Sequence, residues 1–227
     1  MFGRKQSEPV KTQVIQSSKS SKSSKNSTYS TTIITKCMEV KGDIKGCGTI
    51  HVDGIVHGDI DVEESVIIGE SGIVYGNIKS KNVIVSGKLE GSILCNSLEV
   101  MQSGVISDRI DAKEIVSDGL LEAVILTENS IHITDNGKVE TEQMQSKHII
   151  VNGNINGNVI ASELLEINKN GEVRGKMVVK KIKVTEGGLM LGTMLTYEAS
   201  DNIKTSTTQA TLDSKEEEES EENTYQI

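Results

Sequence analysis

Gly48–Ile60 reads GTIHVDGIVHGDI. It holds a β-branched pair (Ile50, Val52), an Asp53-Gly54 turn dipeptide, a second apolar pair (Val56, Ile60) and another glycine at 58. Taken alone, it reads as two short strands joined at a tight corner, because Asp-Gly favours turns. Weak copies of the same pattern fill the next 140 or so residues, and this repetition decides the fold.

Turn glycines fall at 54, 72, 87, 104, 119, 137, 153, 171 and 188, with spacings of 18, 15, 17, 15, 18, 16, 18 and 17. Short units with apolar residues four apart recur with them: Val40/Ile44, Val56/Ile60, Val74/Ile78, Leu89/Ile93, Ile106/Ile110, Leu121/Ile125 and Val173/Met177. Before the glycines lie runs such as VIIGESG, VIVSG, IHITDNG and LEINKNG. A repeat of 15–18 residues with period-2 patterning is too short for a helix-pair solenoid. It also leaves no room for a crossover helix, which excludes βαβ units. The pattern predicts a β-solenoid of about ten coils, each stacked on the next through parallel strands, a rod roughly 45–50 Å long at ~4.8 Å per coil. In this arrangement Asp53-Gly54 is a corner of one coil, and the strands on either side of it bond to the neighbouring coils, toward Val66–Ile68 and Val74–Ile78. A single coil buries too little to offset the entropy of ordering its chain, so the coils stabilise one another in series.

Composition agrees. Among 227 residues there are 21 glycines, one proline, one phenylalanine and no tryptophan. The interior must come from Val, Ile and Leu, which suits narrow stacked coils better than an aromatic-closed globule. Cys37, Cys47 and Cys95 are odd in number and form no CxxC pair, so they read as small buried apolar residues in a reducing cytosol. No stretch approaches the ~18 apolar residues of a membrane span, and the N-terminus lacks a secretory apolar region. The expected location is the cytoplasm, with any membrane contact peripheral.

Charge is unevenly spread. Residues 1–36 carry seven Lys/Arg against Glu8, and residues 199–227 carry eight acids against Lys204 and Lys215, within a net charge of -9. Residues 1–32 form a basic Ser/Lys-rich segment with the run SSKSSKSSKNS, and 199–227 a polar, then acidic tail. Both read as disordered flanks of a core at 33–198, for want of apolar surface to bury. An acidic, aromatic-poor core lacks the basic stripe and stacking rings of a nucleic-acid binder.

A solenoid exposes the edge strands and apolar core of its two terminal coils unless they are capped. The first coil contributes Ile33, Ile34, Met38 and Val40; the last contributes Leu189, Met190, Leu191, Met194, Leu195 and Tyr197. The only proline, Pro9, lies far outside. Uncapped apolar ends predict end-to-end assembly. Of the four histidines, 51 and 57 are six apart and could face outward from adjacent sides of one coil, 132 and 148 fall in others, none lies next to a Cys or Ser nucleophile motif, and all read as surface residues. No catalytic residue, metal site or cofactor is expected.

The repeat GTIHVDGIVHGDIDV, with VIIGESGIVYGNIKSKNVIVSGKLEGSI after it, closely resembles the bactofilin family of bacterial cytoskeletal proteins. The signature residues are Ile50, Val52, Asp53, Gly54, Val56, Gly58 and Ile60, with Gly-x-Ile echoes at Gly76/Ile78 and Gly91/Ile93. The likeness is strong over 40–125 and continues more weakly, in phase, over 126–198, which divides the core into 33–125 and 126–198. The resemblance implies an all-β, right-handed, three-sided β-helix that polymerises without nucleotide into non-polar filaments, joined head-to-head and tail-to-tail. It makes Ile33, Ile34, Met38 and Val40 one polymerisation face, and Leu189, Leu191, Met194, Leu195 and Tyr197 the other. MFGRKQ resembles the family's membrane-targeting start, implicating Met1, Phe2, Arg4 and Lys5 at the inner face of the cytoplasmic membrane. Further partners would be cell-wall or morphogenesis proteins. Two features depart from the family: its usual core is shorter, and this core has no phenylalanine at the C-terminal face.

An enzymatic alternative is a hexapeptide-repeat acyltransferase, but coils of 15, 16 and 17 break the strict multiples of six that such repeats require. A carbohydrate-binding or lyase β-helix would need stacking aromatics, and these make up 2% of the chain.

Overall fold

The structure, a computed structural model, describes residues 30–197. These form a parallel β-solenoid of ten stacked coils. The first three coils each contribute three short strands. They are β1 (Thr31–Ile34), β2 (Glu39–Lys41) and β3 (Ile44–Gly46); β4 (Thr49–Val52), β5 (Ile55–His57) and β6 (Ile60–Val62); then β7 (Ser65–Ile68), β8 (Ile73–Tyr75) and β9 (Ile78–Lys79). Further along, strands of adjacent faces run together: β10 (Asn82–Val85), β11 (Lys88–Leu94), β12 (Ser97–Val100), β13 (Val105–Ser117), β14 (Leu120–Ile133), β15 (Lys138–Val151) and β16 (Asn154–Ile167). The rod ends with β17 (Glu172–Val179), β18 (Ile182–Val184) and β19 (Leu189–Thr196).

Gly48–Ile60 is one layer of this rod, reaching into three strands rather than two. β4 lies on β7 with Ile50 opposite Val66 and Val52 opposite Ile68. β5 lies on β8 with Val56 opposite Val74, and β6 on β9 with Ile60 opposite Ile78. The strand alternation turns Ile50, Val52, Val56 and Ile60 inward, where all are buried. Equivalent residues stack above them, such as Leu89, Ile106, Leu121 and Ile155 in one column, giving a single continuous core.

Two corners are written in the sequence. At the first, the nine turn glycines sit where a side chain would strike the carbonyl oxygens of the coil below; a Cβ at Gly87, for example, would lie against those of Gly72 and Gly69. At the second, the recurring Gly-Asp/Asn/Ser-Ile has a three-part explanation. The glycine, as at Gly76 (φ +151°), takes a left-handed backbone and presses on the carbonyl of Gly58. The polar residue ties coil to coil: the Asp59 amide donates to Asp43 Oδ1 (3.0 Å), the Asn77 amide to Asp59 Oδ1 (2.8 Å), and the Ser92 amide to Asn77 Oδ1 (3.1 Å). The isoleucine then points into the core.

The second ladder breaks in mid-rod. Asp108, Ala123 and Thr141 occupy the glycine positions between Gly91 and Gly157. Asp108 keeps the positive φ (100°), and the register shifts between Glu122 and Ile125 and between Thr141 and Met144.

Candidate functional site

The ends of the rod are its least satisfied surfaces. Among the described residues, β1, β2 and β3 pair only upward, with β4, β5 and β6. At the other end β18 and β19 pair only downward, with β16 and β17. Each terminal coil therefore presents a row of backbone donors and acceptors along its outer edge, as open sheet edges do.

At the C-terminal end, two columns of the core run out. Met190 continues the column of Val173, and Met194 that of Met177, with nothing stacked above them among the described residues. Met194 is 47% exposed, although the methionine one coil below is fully buried. Leu189 and Leu191 alternate to the outside of the same strand and are about as exposed, at 45% each. Leu195, by contrast, is buried and Tyr197 is half-buried, its amide donating to the Val179 carbonyl. The apolar surface of this end is thus built from Leu189, Met190, Leu191 and Met194, with Leu195 buried next to Met194 and opposite Val178.

At the N-terminal end, Ile34 is buried beneath Val52, while Ile33 and Met38 are exposed. Val40 and Ile44 are partly buried and close the core below Val56 and Ile60. Sequence reading did not place Ile44 at this end, although the four-residue spacing Val40/Ile44 carried the signal, whereas it counted Met190 among the apolar residues of the other. Met1, Phe2, Arg4 and Lys5 lie outside the described residues, as do the two tails.

The rod's flank offers little chemistry. A groove of about 590 Å³ is lined by Lys79, Leu94, Cys95, Asp111, Lys113 and Leu126, among others, without a histidine. Of the three cysteines expected to be buried, only Cys95 is, Cys37 and Cys47 in the open first coils being exposed; burial pushes the Cys95 thiol up to about 12, which keeps it protonated and unreactive at neutral pH. The histidines face solvent or its margin in separate pairings. His51 is 3.4 Å from Asp53; His57 stacks on Tyr75, ring centroids 4.9 Å apart, and is 3.4 Å from Glu39. His132 lies 3.2 Å from Asn152, and His148 meets Glu163 at 2.8 Å, a hydrogen bond that holds the Glu163 carboxyl below its usual range. Among the described residues no three His, Cys, Asp or Glu side chains converge as metal ligands, and no helix is long and apolar enough to cross a membrane.

Comparison with known proteins agrees with this picture. A family model described as bactofilin, polymer-forming cytoskeletal, matches twice, over residues 32–119 and 111–194. The curated bactofilin BacO of Myxococcus xanthus (strain DK1622) is 30% identical over 67 residues, which are 30% of this chain and 53% of the relative. The chain thus spans about half the length of the curated relative it matches. No solved structure matches.

Proposed function

Because the chain belongs to the bactofilin family of polymer-forming cytoskeletal proteins, we propose that it self-assembles end to end, without nucleotide, into non-polar filaments that scaffold cell-shape, cell-wall or appendage-related machinery. The observation that carries this reading is the pair of coil ends, each joining strand edges that are unpaired among the described residues to exposed apolar side chains.

Magnitudes say what such a joint must use. About half of Leu189, Leu191 and Met194 is already covered, so burying the remainder contributes roughly 1 kcal/mol each. Association costs ~4–15 kcal/mol in lost freedom. Side chains alone fall short, and the open edges must pair across the joint, each backbone hydrogen bond adding ~0.5–1.5 kcal/mol. The joint is then a continuation of the solenoid, which explains why the ends carry no bulky cap among the described residues.

Met1, Phe2, Arg4 and Lys5 supply the membrane contact in this reading. One such anchor is marginal, with ~1.5–3 kcal/mol from Phe2 and ~1 kcal/mol per basic residue. Many anchors on one filament act together through effective concentration. The acyltransferase alternative draws no support from the flank groove, whose only sulfur nucleophile is a buried, protonated thiol.

Negative-stain microscopy of the purified full chain tests assembly: filaments are expected, and a monomeric rod at every concentration would overturn the reading. Met194→Arg and Leu191→Arg should shorten or abolish filaments while leaving the β-sheet circular dichroism unchanged. Deleting residues 1–5 should release the protein from sedimented anionic vesicles without preventing polymerisation.

A further inference from the structure

The C-terminal end of the rod carries a charge opposite to the rest of it. Residues 30–163 hold twenty Asp/Glu against ten Lys/Arg, whereas residues 164–197 hold six Lys/Arg against Glu166, Glu172 and Glu186. Two of these cations are spent locally: Lys183 pairs with Glu166 and Arg174 with Glu172, each at 2.6 Å. Lys169, Lys176, Lys180 and Lys181 are exposed and form no ion pair among the described residues, though the charge of Lys180 is felt by Glu163. All four lie in the last two coils, beside the apolar face of Leu189, Leu191 and Met194.

The described chain ends at Tyr197, bonded to Val179, immediately before Lys180 and Lys181 in the coil below it. The thirty residues that follow carry nine Asp/Glu against Lys204 and Lys215, with six of the acids in the run EEEESEE at 216–222. Apolar residues flank that run: Leu212 before it, Tyr225 and Ile227 after it. A fifteen-residue spacer to Leu212 has a root-mean-square reach of ~20–25 Å. One side of a coil, four to seven residues long, measures ~13–23 Å, so the tail spans the end of its own rod, at an effective concentration in the millimolar range.

We propose that residues 198–227 dock in cis on this end. The glutamates lie along the Lys169, Lys176, Lys180 and Lys181 rim, and the flanking apolar residues cover Leu191 and Met194. The tail thereby closes the C-terminal face to a second copy until the charges are screened. This rests on the assembly reading above, since it regulates the same face. In a tail-to-tail joint two such ends meet face to face, so joining depends on release of the tail from both.

The test compares the full chain with two variants, one stopped after Tyr197 and one with E216Q, E217Q, E218Q, E219Q, E221Q and E222Q. The first readout is the concentration at which protein begins to pellet. Both variants should assemble at several-fold lower concentration than the full chain. Raising salt from about 50 to about 300 mM should lower the threshold for the full chain more than for the truncated one, because screening releases the tail in the first and only eases repulsion between basic ends in the second. The second readout, hydrogen exchange below the pelleting threshold, should show residues 180–194 protected in the full chain and released in both variants. An equal or higher threshold for the variants overturns the proposal; a higher one means that the tail clamps the joint in trans. If no form assembles, the polymerisation reading fails, and the exchange comparison alone decides whether the tail docks.

Discussion

Gly42 and Gly76 share a left-handed backbone, with φ of +122° and +151°, but not a neighbourhood: a Cβ at Gly42 meets nothing within 4 Å, and one at Gly76 runs into the Gly58 backbone. Gly42→Ala should therefore cost only its conformational strain, ~1–3 kcal/mol. Gly76→Ala adds a collision that two hydrogen-bonded coils cannot relieve, and should cost more; urea midpoints of the two variants should differ in that order. Asp108 is the converse case, a side chain at φ 100° where the ladder elsewhere has glycine. Asp108→Gly should raise stability by about 1 kcal/mol, strain relief outweighing the entropy glycine loses on folding. Ionisable groups are equally specific. The Thr134 hydroxyl donates to the Asp118 carboxylate, with Asn136 Nδ2 adding a second bond (3.1 Å), and this holds Asp118 below the usual carboxylate range. A depressed folded-state pKa means stability present above the unfolded value and lost as pH falls through the folded one, so this corner weakens only below about pH 3.9. Thr134→Val should move the Asp118 carboxyl titration upward by NMR, and an unmoved titration would mean that the hydroxyl is not the cause.

At the scale of the strand, the sixth coil from the N-terminal end (coil 6, residues 114–127) carries a flaw. Ser117 ends β13 with its side chain in the inward column between Val100 and Ile133, fully buried, and its hydroxyl has no hydrogen-bond partner. Thr127, in β14, repeats the fault. An unsatisfied buried hydroxyl costs ~1–3 kcal/mol, so Thr127→Val, which removes the oxygen and keeps the shape, should raise the urea midpoint without changing the slope. Such flaws mark what the sequence could and could not reveal. The coil length, the corner glycines and the inward four-residue pairs were legible because each is a steric demand repeated in every coil. Asp108, Ala123 and Thr141 were not, because a ladder position filled by an ordinary residue looks like any other polar stretch once the glycine is gone. The face residues were legible by kind but not by orientation. Leu191 and Leu195 each follow an inward methionine, Met190 and Met194, on one strand, yet one is exposed and the other buried.

The two family matches, 32–119 and 111–194, overlap at residues 111–119. The stack runs unbroken through that overlap: Val105–Ala112 pair residue for residue with Leu120–Thr127, and Glu114–Ser117 with Ser130–Ile133. The whole rod should therefore behave as one nearest-neighbour array, in which an interior coil gains from two interfaces and a terminal coil from one. Local opening is easiest where neighbours are fewest. Hydrogen exchange on unassembled protein stopped after Tyr197 should consequently be fastest in the first coil (31–46) and the last (182–196), and slowest through the interior. Coil 6 should stay protected despite its buried hydroxyls, because both its neighbours hold it. A second minimum of protection at 111–133 would instead mean that the two segments open as separate modules. In filaments the gradient should invert at its extremes: if joining continues the solenoid, the end coils acquire their missing neighbour, and their amides should gain more protection than any others. Filaments whose end coils exchange as freely as in the unassembled protein would place the joint on the rod's flank, and remove the open edges from the mechanism.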